Sequence, residues 1–143
     1  MKRSIFLCLI IALIIGSCAQ EKKSPIEGAW RLVYGNYTTP DTVMNYPLSS
    51  NNMKIIDDKY FSTIWQDTVM DKSNWWSAGF NGGTYTFVNG VYTENLMYFS
   101  IPSNIGGKAS FNAEIRNDTL VLTYVFETAK KGYSNVEKWK RLE

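Results

Sequence analysis

The sequence predicts an all-β domain, an antiparallel up-and-down barrel of about eight strands behind a cleaved signal peptide. Three observations predict it. From Gly28 onward side-chain polarity alternates with a period of two. Turn residues recur at short intervals, most clearly at Asn89-Gly90 and Asn117-Asp118. No stretch carries an apolar stripe at helical spacing. A length of 143 residues suits one domain of ordinary size. With 45% hydrophobic and 20% charged residues, the chain is globular rather than disordered.

The N-terminus is read as an address. Lys2-Arg3 is a short basic segment, followed by eleven apolar residues, Ile5 to Ile15. A membrane-spanning helix needs about 20 apolar residues, so this run reads as a signal-peptide core. Ile15-Gly16-Ser17-Cys18 follows, and a cysteine placed directly after small residues resembles the bacterial lipobox. The resemblance implies that Cys18 is acylated and becomes the new N-terminus. Residues 1–17 are then the signal peptide, 18–25 a polar tether, and 26–143 the barrel domain. Cys8 leaves with the signal peptide, so no intramolecular disulfide is expected. Loss of Lys2 and Arg3 leaves 13 basic against 13 acidic residues, which offers no electrostatic footprint for nucleic acid.

Along the body, Ala29–Tyr37 alternates Trp30, Leu32 and Tyr34 against Ala29, Arg31 and Val33. Thr38 to Asn52 carries Pro40, Pro47 and Ser49-Ser-Asn-Asn52, and reads as a long loop with room for a helical turn. Met53–Ile56 and Tyr60–Gln66 are strands joined at Asp57-Asp58-Lys59. Ser77–Phe80 is expected to end at a turn over Asn81-Gly82-Gly83. Thr84–Val88 then pairs with Val91–Phe99 across Asn89-Gly90. Ala109–Arg116 and Thr119–Phe126 follow, and Tyr133–Leu142 ends the chain. The inward faces collect Trp30, Leu32 and Tyr34; Phe61, Thr63 and Trp65; Tyr85 and Phe87; Tyr92, Glu94, Leu96 and Tyr98. Phe111, Ala113 and Ile115 join them, with Leu120, Leu122 and Tyr124, and finally Glu137, Trp139 and Arg141. One apolar face per strand fits a sheet closed on itself, whose interior is filled or holds one small ligand.

Gly28-Ala29-Trp30 resembles the G-x-W signature of lipocalins and their calycin relatives. The resemblance implies that an arginine of the last strand packs across the tryptophan and closes the barrel base, and Arg141 is the matching residue. Gly82-Gly-Thr-Tyr-Thr-Phe, Val91-Tyr-Thr-Glu-Asn95, Asn117-Asp-Thr-Leu120 and the Trp-x-Arg ending are similar to the small lipocalin-like lipoproteins of bacteria. The similarity runs from about Ile26 to Leu142, and the T-D-Y motif of true lipocalins is absent. It therefore implies a lipocalin-like fold, in a group largely without assigned activity.

The sequence has no histidine and no cysteine after Cys18, which excludes Ser-His-Asp and Cys-His catalysis. Zinc, copper and haem sites built on His or Cys ligands are excluded on the same ground. No metal, cofactor or catalytic residue is expected. Glu94 and Glu137 are carboxylates on inward faces, and a buried carboxylate is costly unless paired. Arg141 shares a face with Glu137 but lies about 13 Å further along an extended strand, so the two meet poorly. A basic side chain from a neighbouring strand is the expected partner, with Arg141 a candidate for Glu94, and such a pair is either structural or a polar anchor for a ligand. Trp75-Trp76 is read as a lid over one barrel end.

These observations describe a lipid-anchored protein of the bacterial cell envelope, at the outer membrane and facing periplasm or surface. It is expected to bind a small, partly apolar ligand, with Trp65, Tyr85, Phe87, Tyr92, Tyr98 and Tyr124 as walls and Glu94 as polar handle. Trp30 and Arg141 close the barrel. The alternatives are a packed barrel that meets a protein partner through Thr38–Asn52 and Asp71–Phe80, and an enzyme using Glu94 for proton transfer. The anchor is testable directly. Cys18→Ala should abolish labelling by radioactive fatty acid and release the domain from the membrane fraction without changing its fold. A wild type that takes up no label would remove the lipid from the account.

Overall fold

In a computed structural model, which describes residues 23–46, 52–66, 77–125 and 132–143, the alternating pattern closes on itself. The strands are β1 (Gly28–Thr38), β2 (Val43–Asn45), β3 (Met53–Asp57), β4 (Tyr60–Gln66) and β5 (Ala78–Val88), then β6 (Val91–Phe99), β7 (Lys108–Arg116), β8 (Thr119–Tyr124) and β9 (Ser134–Arg141). From β3 to β9 each strand pairs antiparallel with the next. β1 pairs with β3 through residues 28–31 and with β9 through residues 30–38. The result is a closed barrel of eight strands. β2 is a flap on β1, pairing Val43–Asn45 with Asn36–Thr38. This short strand lies within the stretch read from sequence as a long loop.

The two ends of the barrel differ because their connections differ. Asp58-Lys59, Asn89-Gly90 and Asn117-Asp118 are two-residue turns at one end. Asn89 and Gly90 both have positive φ (51° and 79°), as do Asn117 and Asp118 (48° and 55°). That is the signature of type I′ turns, whose twist matches the flanking strands. The longer connections, β4 to β5, β6 to β7 and β8 to β9, all lie at the opposite end.

The tight end is plugged. Ile26, Trp30, Ile56 and Leu120 are fully enclosed there. The Arg141 guanidinium carbon lies 4.0 Å from the centroid of the Trp30 ring. Arg141 also donates to the Glu27 carbonyl at 2.7 Å and the Pro25 carbonyl at 3.0 Å, while the Trp30 indole N–H donates to the Ile26 carbonyl at 2.9 Å. One arginine thus ties the chain before β1 to the end of β9. Gly28 has φ +143°, and a Cβ there would stand 2.4 Å from Arg141 Nη1. The glycine two residues before the tryptophan leaves the space that the arginine fills.

Above this plug an aromatic cluster fills the lower barrel. Tyr92 is enclosed by Tyr85, Phe61 and Phe111, with ring centroids 5.5, 6.3 and 6.1 Å away. Tyr85 is tilted, Phe61 edge-on and Phe111 stacked against it, arrangements that add to the stabilisation from burial itself.

Two β-bulges alter the expected faces. On β1, Leu32 pairs with Trp139 and Tyr34 with Lys138, so Val33 is an extra residue. The phase slips by one, and Tyr34 faces outward, its ring under the Lys138 ammonium at 4.8 Å. On β6, Tyr98 pairs with Gly82 and Leu96 with Gly83, so Met97 is extra. Tyr98, expected in the interior wall, is 62% exposed on the outside, and Phe99 turns inward instead. Ile115, near the end of β7, is also exposed. The expected turn over Asn81-Gly82-Gly83 is continuous strand within β5. Here the glycines permit close approach: a Cβ on Gly83 would lie 2.0 Å from the Asn95 carbonyl oxygen. Trp75 and Trp76 lie outside the described residues.

The plug predicts its own energetics. Trp30→Ala should cost about 3–5 kcal/mol in urea unfolding, as a large-to-small change at an enclosed site. A loss under about 1 kcal/mol would mean that the lower barrel does not depend on this ring.

Candidate functional site

With one end plugged and the lower half packed, the remaining interior space lies toward the long loops. A cavity of about 520 Å³ occupies it. Its walls come from Lys54 on β3, Thr63 on β4, Asn81 on β5, and Glu94, Leu96 and Phe99 on β6. Ala109 and Phe111 on β7, Tyr124 on β8, and Asn135, Glu137 and Trp139 on β9 complete them. Ser103, Asn104, Gly107 and Lys108 form the rim. Strand alternation explains the selection, since Asn135, Glu137 and Trp139 are two apart and share one face of β9.

The floor is an ion pair. Lys54 Nζ donates to Glu94 Oε1 at 2.6 Å, and both residues are only 3% exposed. The same ammonium lies 5.1 Å from the Trp139 ring centroid, 5.5 Å from Tyr92, 5.7 Å from Phe111 and 5.9 Å from Phe61. One carboxylate and four aromatic rings therefore surround one cation. Ring quadrupoles replace part of the hydration that Lys54 gives up.

Glu137 is placed differently. Its Oε2 accepts the Trp139 indole N–H at 2.9 Å, and its side chain borders the cavity. Loss of bulk water raises its pKa above the usual carboxylate range; Lys54 and the indole N–H work against the rise, and Glu94 adds to it. Glu137 keeps some accessible surface at the cavity wall, yet desolvation dominates its titration. Burial also pushes the Tyr92 hydroxyl well above its ordinary range, with Glu94 next in effect. Tyr46, whose ring packs over Gly35, is raised to about 12, by burial first and the Glu137 charge second. Three other wall residues keep an oxygen without a hydrogen-bond partner: Thr63 Oγ1, Asn81 Oδ1 and Asn135 Oδ1.

Of the expected wall residues, Glu94 and Tyr124 line the cavity. Tyr85, Phe87 and Tyr92 belong to or pack against the core below it. Trp65 borders a separate recess of about 340 Å³, its ring edge-on to Phe99 at 6.2 Å. Tyr98 is on the outside, for the reason given by the β6 bulge. Arg141 does not serve Glu94, because it is committed to Trp30 and the carbonyls before β1; Lys54 serves it. Sequence reasoning passed over Lys54 because Lys54-Ile55-Ile56 places an apolar residue on both faces of β3. The signal was available: Lys54 and Ile56 are in one phase, and an inward Glu94 required an inward cation.

Among the described residues, no three His, Cys, Asp or Glu side chains are grouped so as to hold a metal ion.

Residues 25–143 match the family model described as "Domain of unknown function (DUF4488)". A comparison with curated proteins finds no match. Among solved structures, a lipocalin-like protein from Bacteroides uniformis ATCC 8492 is 15% identical, covers 83% of this chain and 100% of its own, and has a TM-score of 0.48. An uncharacterized protein from Bacteroides eggerthii DSM 20697 is 17% identical, covers 78% and 97%, and has a TM-score of 0.46.

The ion pair makes a paired prediction. Lys54→Met should cost about 3–5 kcal/mol in urea unfolding, because it leaves Glu94 buried and alone. Lys54→Met combined with Glu94→Leu should recover most of that loss, since an apolar pair of similar volume replaces the charges. A single-variant loss under about 1 kcal/mol would mean that water reaches the pair.

Proposed function

The chain belongs to the DUF4488 family, and from that premise we propose that it is a lipid-anchored cell-envelope protein that holds a small, partly apolar molecule in the open half of its barrel. The observation that carries this reading is the cavity of about 520 Å³ above the Lys54–Glu94 pair. Its size lies within the range of pockets that enclose small molecules. Its walls also have the mixed character of such pockets. Leu96, Phe99, Phe111 and Tyr124 supply apolar surface, while Thr63, Asn81, Asn135 and Glu137 supply polar atoms that fix orientation.

The envelope part of the reading rests on the N-terminal sequence. An apolar run of eleven residues ending near Gly16-Ser17-Cys18 supports export and acylation. Anchoring by several acyl chains is durable, at about 0.8 kcal/mol per buried methylene. It would hold the barrel near the membrane with the polar tether 18–25 between them.

Native mass spectrometry of protein purified from its own host envelope tests the binding function. The expected result is a small-molecule adduct that is lost on denaturation. Ala109→Trp, which fills the cavity from its β7 wall, should abolish the adduct while the far-UV spectrum of the sheet persists. Bare protein in the wild-type preparation would favour a barrel that acts through its loops on a protein partner.

A further inference from the structure

We propose that the cavity is built for a protonated amine, whose ammonium group sits on Glu137 and whose apolar body lies against Phe111 and Tyr124. The inference deepens the binding function proposed above and rests on it. It starts from charge. The inner walls of the cavity hold one cation, Lys54, and two carboxylates, Glu94 and Glu137, while a second lysine, Lys108, stands at the exposed rim. Lys54 is 3% exposed, donates to Glu94, and is faced by four aromatic rings. Its charge is neutralised by Glu94 and its head is packed among rings, which leaves it little to offer a ligand anion. Glu137 receives a hydrogen bond only at Oε2, from a neutral indole, and among the described residues no hydrogen bond reaches its Oε1. Among the described residues, Glu137 is therefore the one of these three charged groups with no ion-pair partner.

Hydrogen-bonding capacity points the same way. Thr63 is 8% exposed and its Oγ1 has no partner. Asn81 Oδ1 and Asn135 Oδ1 are likewise without a donor. Asn135 is two residues from Glu137 on the same face of β9, and Asn81 stands opposite Thr63 across β4 and β5. Two amide oxygens of the walls are thus acceptors in want of donors, and the Thr63 hydroxyl can accept as well as donate. An ammonium group brings three N–H donors and a positive charge, which answers both deficits at once. A carboxylate ligand would add a third negative charge and no donor. A neutral alcohol would bring one donor and leave the charge unmet.

Three indole probes of similar size and different head group separate these cases: tryptamine, tryptophol and indole-3-propionate, titrated calorimetrically into the mature wild-type protein at neutral pH. Tryptamine should bind about ten- to a hundredfold more tightly than tryptophol, the size of one charge-assisted hydrogen bond. Indole-3-propionate should bind most weakly. Glu137→Gln should bring tryptamine and tryptophol to nearly equal affinity. Its melting temperature should be no lower than that of wild type, because a carboxylate kept for a ligand contributes nothing to the empty fold. Glu137→Ala serves as a second variant with the same expectation for the affinity ratio.

Equal binding of tryptamine and tryptophol by the wild type would overturn the amine assignment while leaving the cavity as a binding site. So would tightest binding of indole-3-propionate, or a tryptamine preference that survives both variants. A marked fall in the melting temperature of Glu137→Gln would make Glu137 structural and overturn it as well. If no probe binds, the amine assignment fails, and the binding function stands or falls on the native mass spectrum of the envelope-purified protein.

Discussion

The pairing of β1 with β9 is the constraint on which the molecule depends. These strands lie at opposite ends of the folded sequence, so joining them closes the longest loop in the domain and carries the largest loop-closure cost. Everything between them is sequential hairpins, which need only local contacts. The clasp at the base of that seam offsets the cost. Trp30 lies under the Arg141 guanidinium, and Arg141 in turn holds the Glu27 and Pro25 carbonyls. Because the clasp and the two-residue turns share one end, that end is sealed. The long connections fall at the other end, and the cavity opens toward them.

Closure also explains why charge can be placed inside. In an open sheet, Lys54 and Glu94 would lie on separate strands facing water, and their attraction would be weak. Curling the sheet brings β3 and β6 across the interior and sets the two at 2.6 Å, with rings on the remaining sides. The two charges neutralise each other at a depth where either alone would be costly. The aromatic cluster below and the cavity above meet at this pair. Below it, Tyr92 and its neighbours leave no room; above it, polar side chains line empty space.

Alternation made most of this architecture legible. Strand positions, both Asn-led type I′ turns and the packing of Phe61, Phe111, Leu120 and Leu122 follow from period two and turn chemistry, whereas the place of Trp30 at the barrel base comes from the G-x-W resemblance. What alternation hides is a single extra residue. Val33 and Met97 each shift the phase of the strand beyond them, which turns Tyr34 and Tyr98 outward, and nothing in the local composition marks either position. Gly82-Gly83 misleads for a related reason. Two adjacent glycines signal a turn when read alone, but here they let neighbouring backbones approach beside the β6 bulge. Lys54 was obscured because Ile55 and Ile56 satisfy both faces of β3. The site is less legible than the fold, since it depends on which strands face one another across the barrel, and that is set by closure rather than by sequence neighbours.

Glu137 shows the cost of keeping such a site. Its folded pKa is raised above that of an exposed carboxylate, mainly by desolvation. A raised acid pKa means that the folded state binds the proton more tightly than the unfolded chain. Stability then falls as pH rises from the unfolded value through the raised one, and the deficit is fully present above both. A barrel selected only for stability would gain by replacing Glu137 with a neutral side chain, whereas a barrel that must receive a positive charge needs the carboxylate ionised and without a cation until the ligand comes. Under the amine binding proposed above, the same residue that weakens the empty fold would strengthen the occupied one.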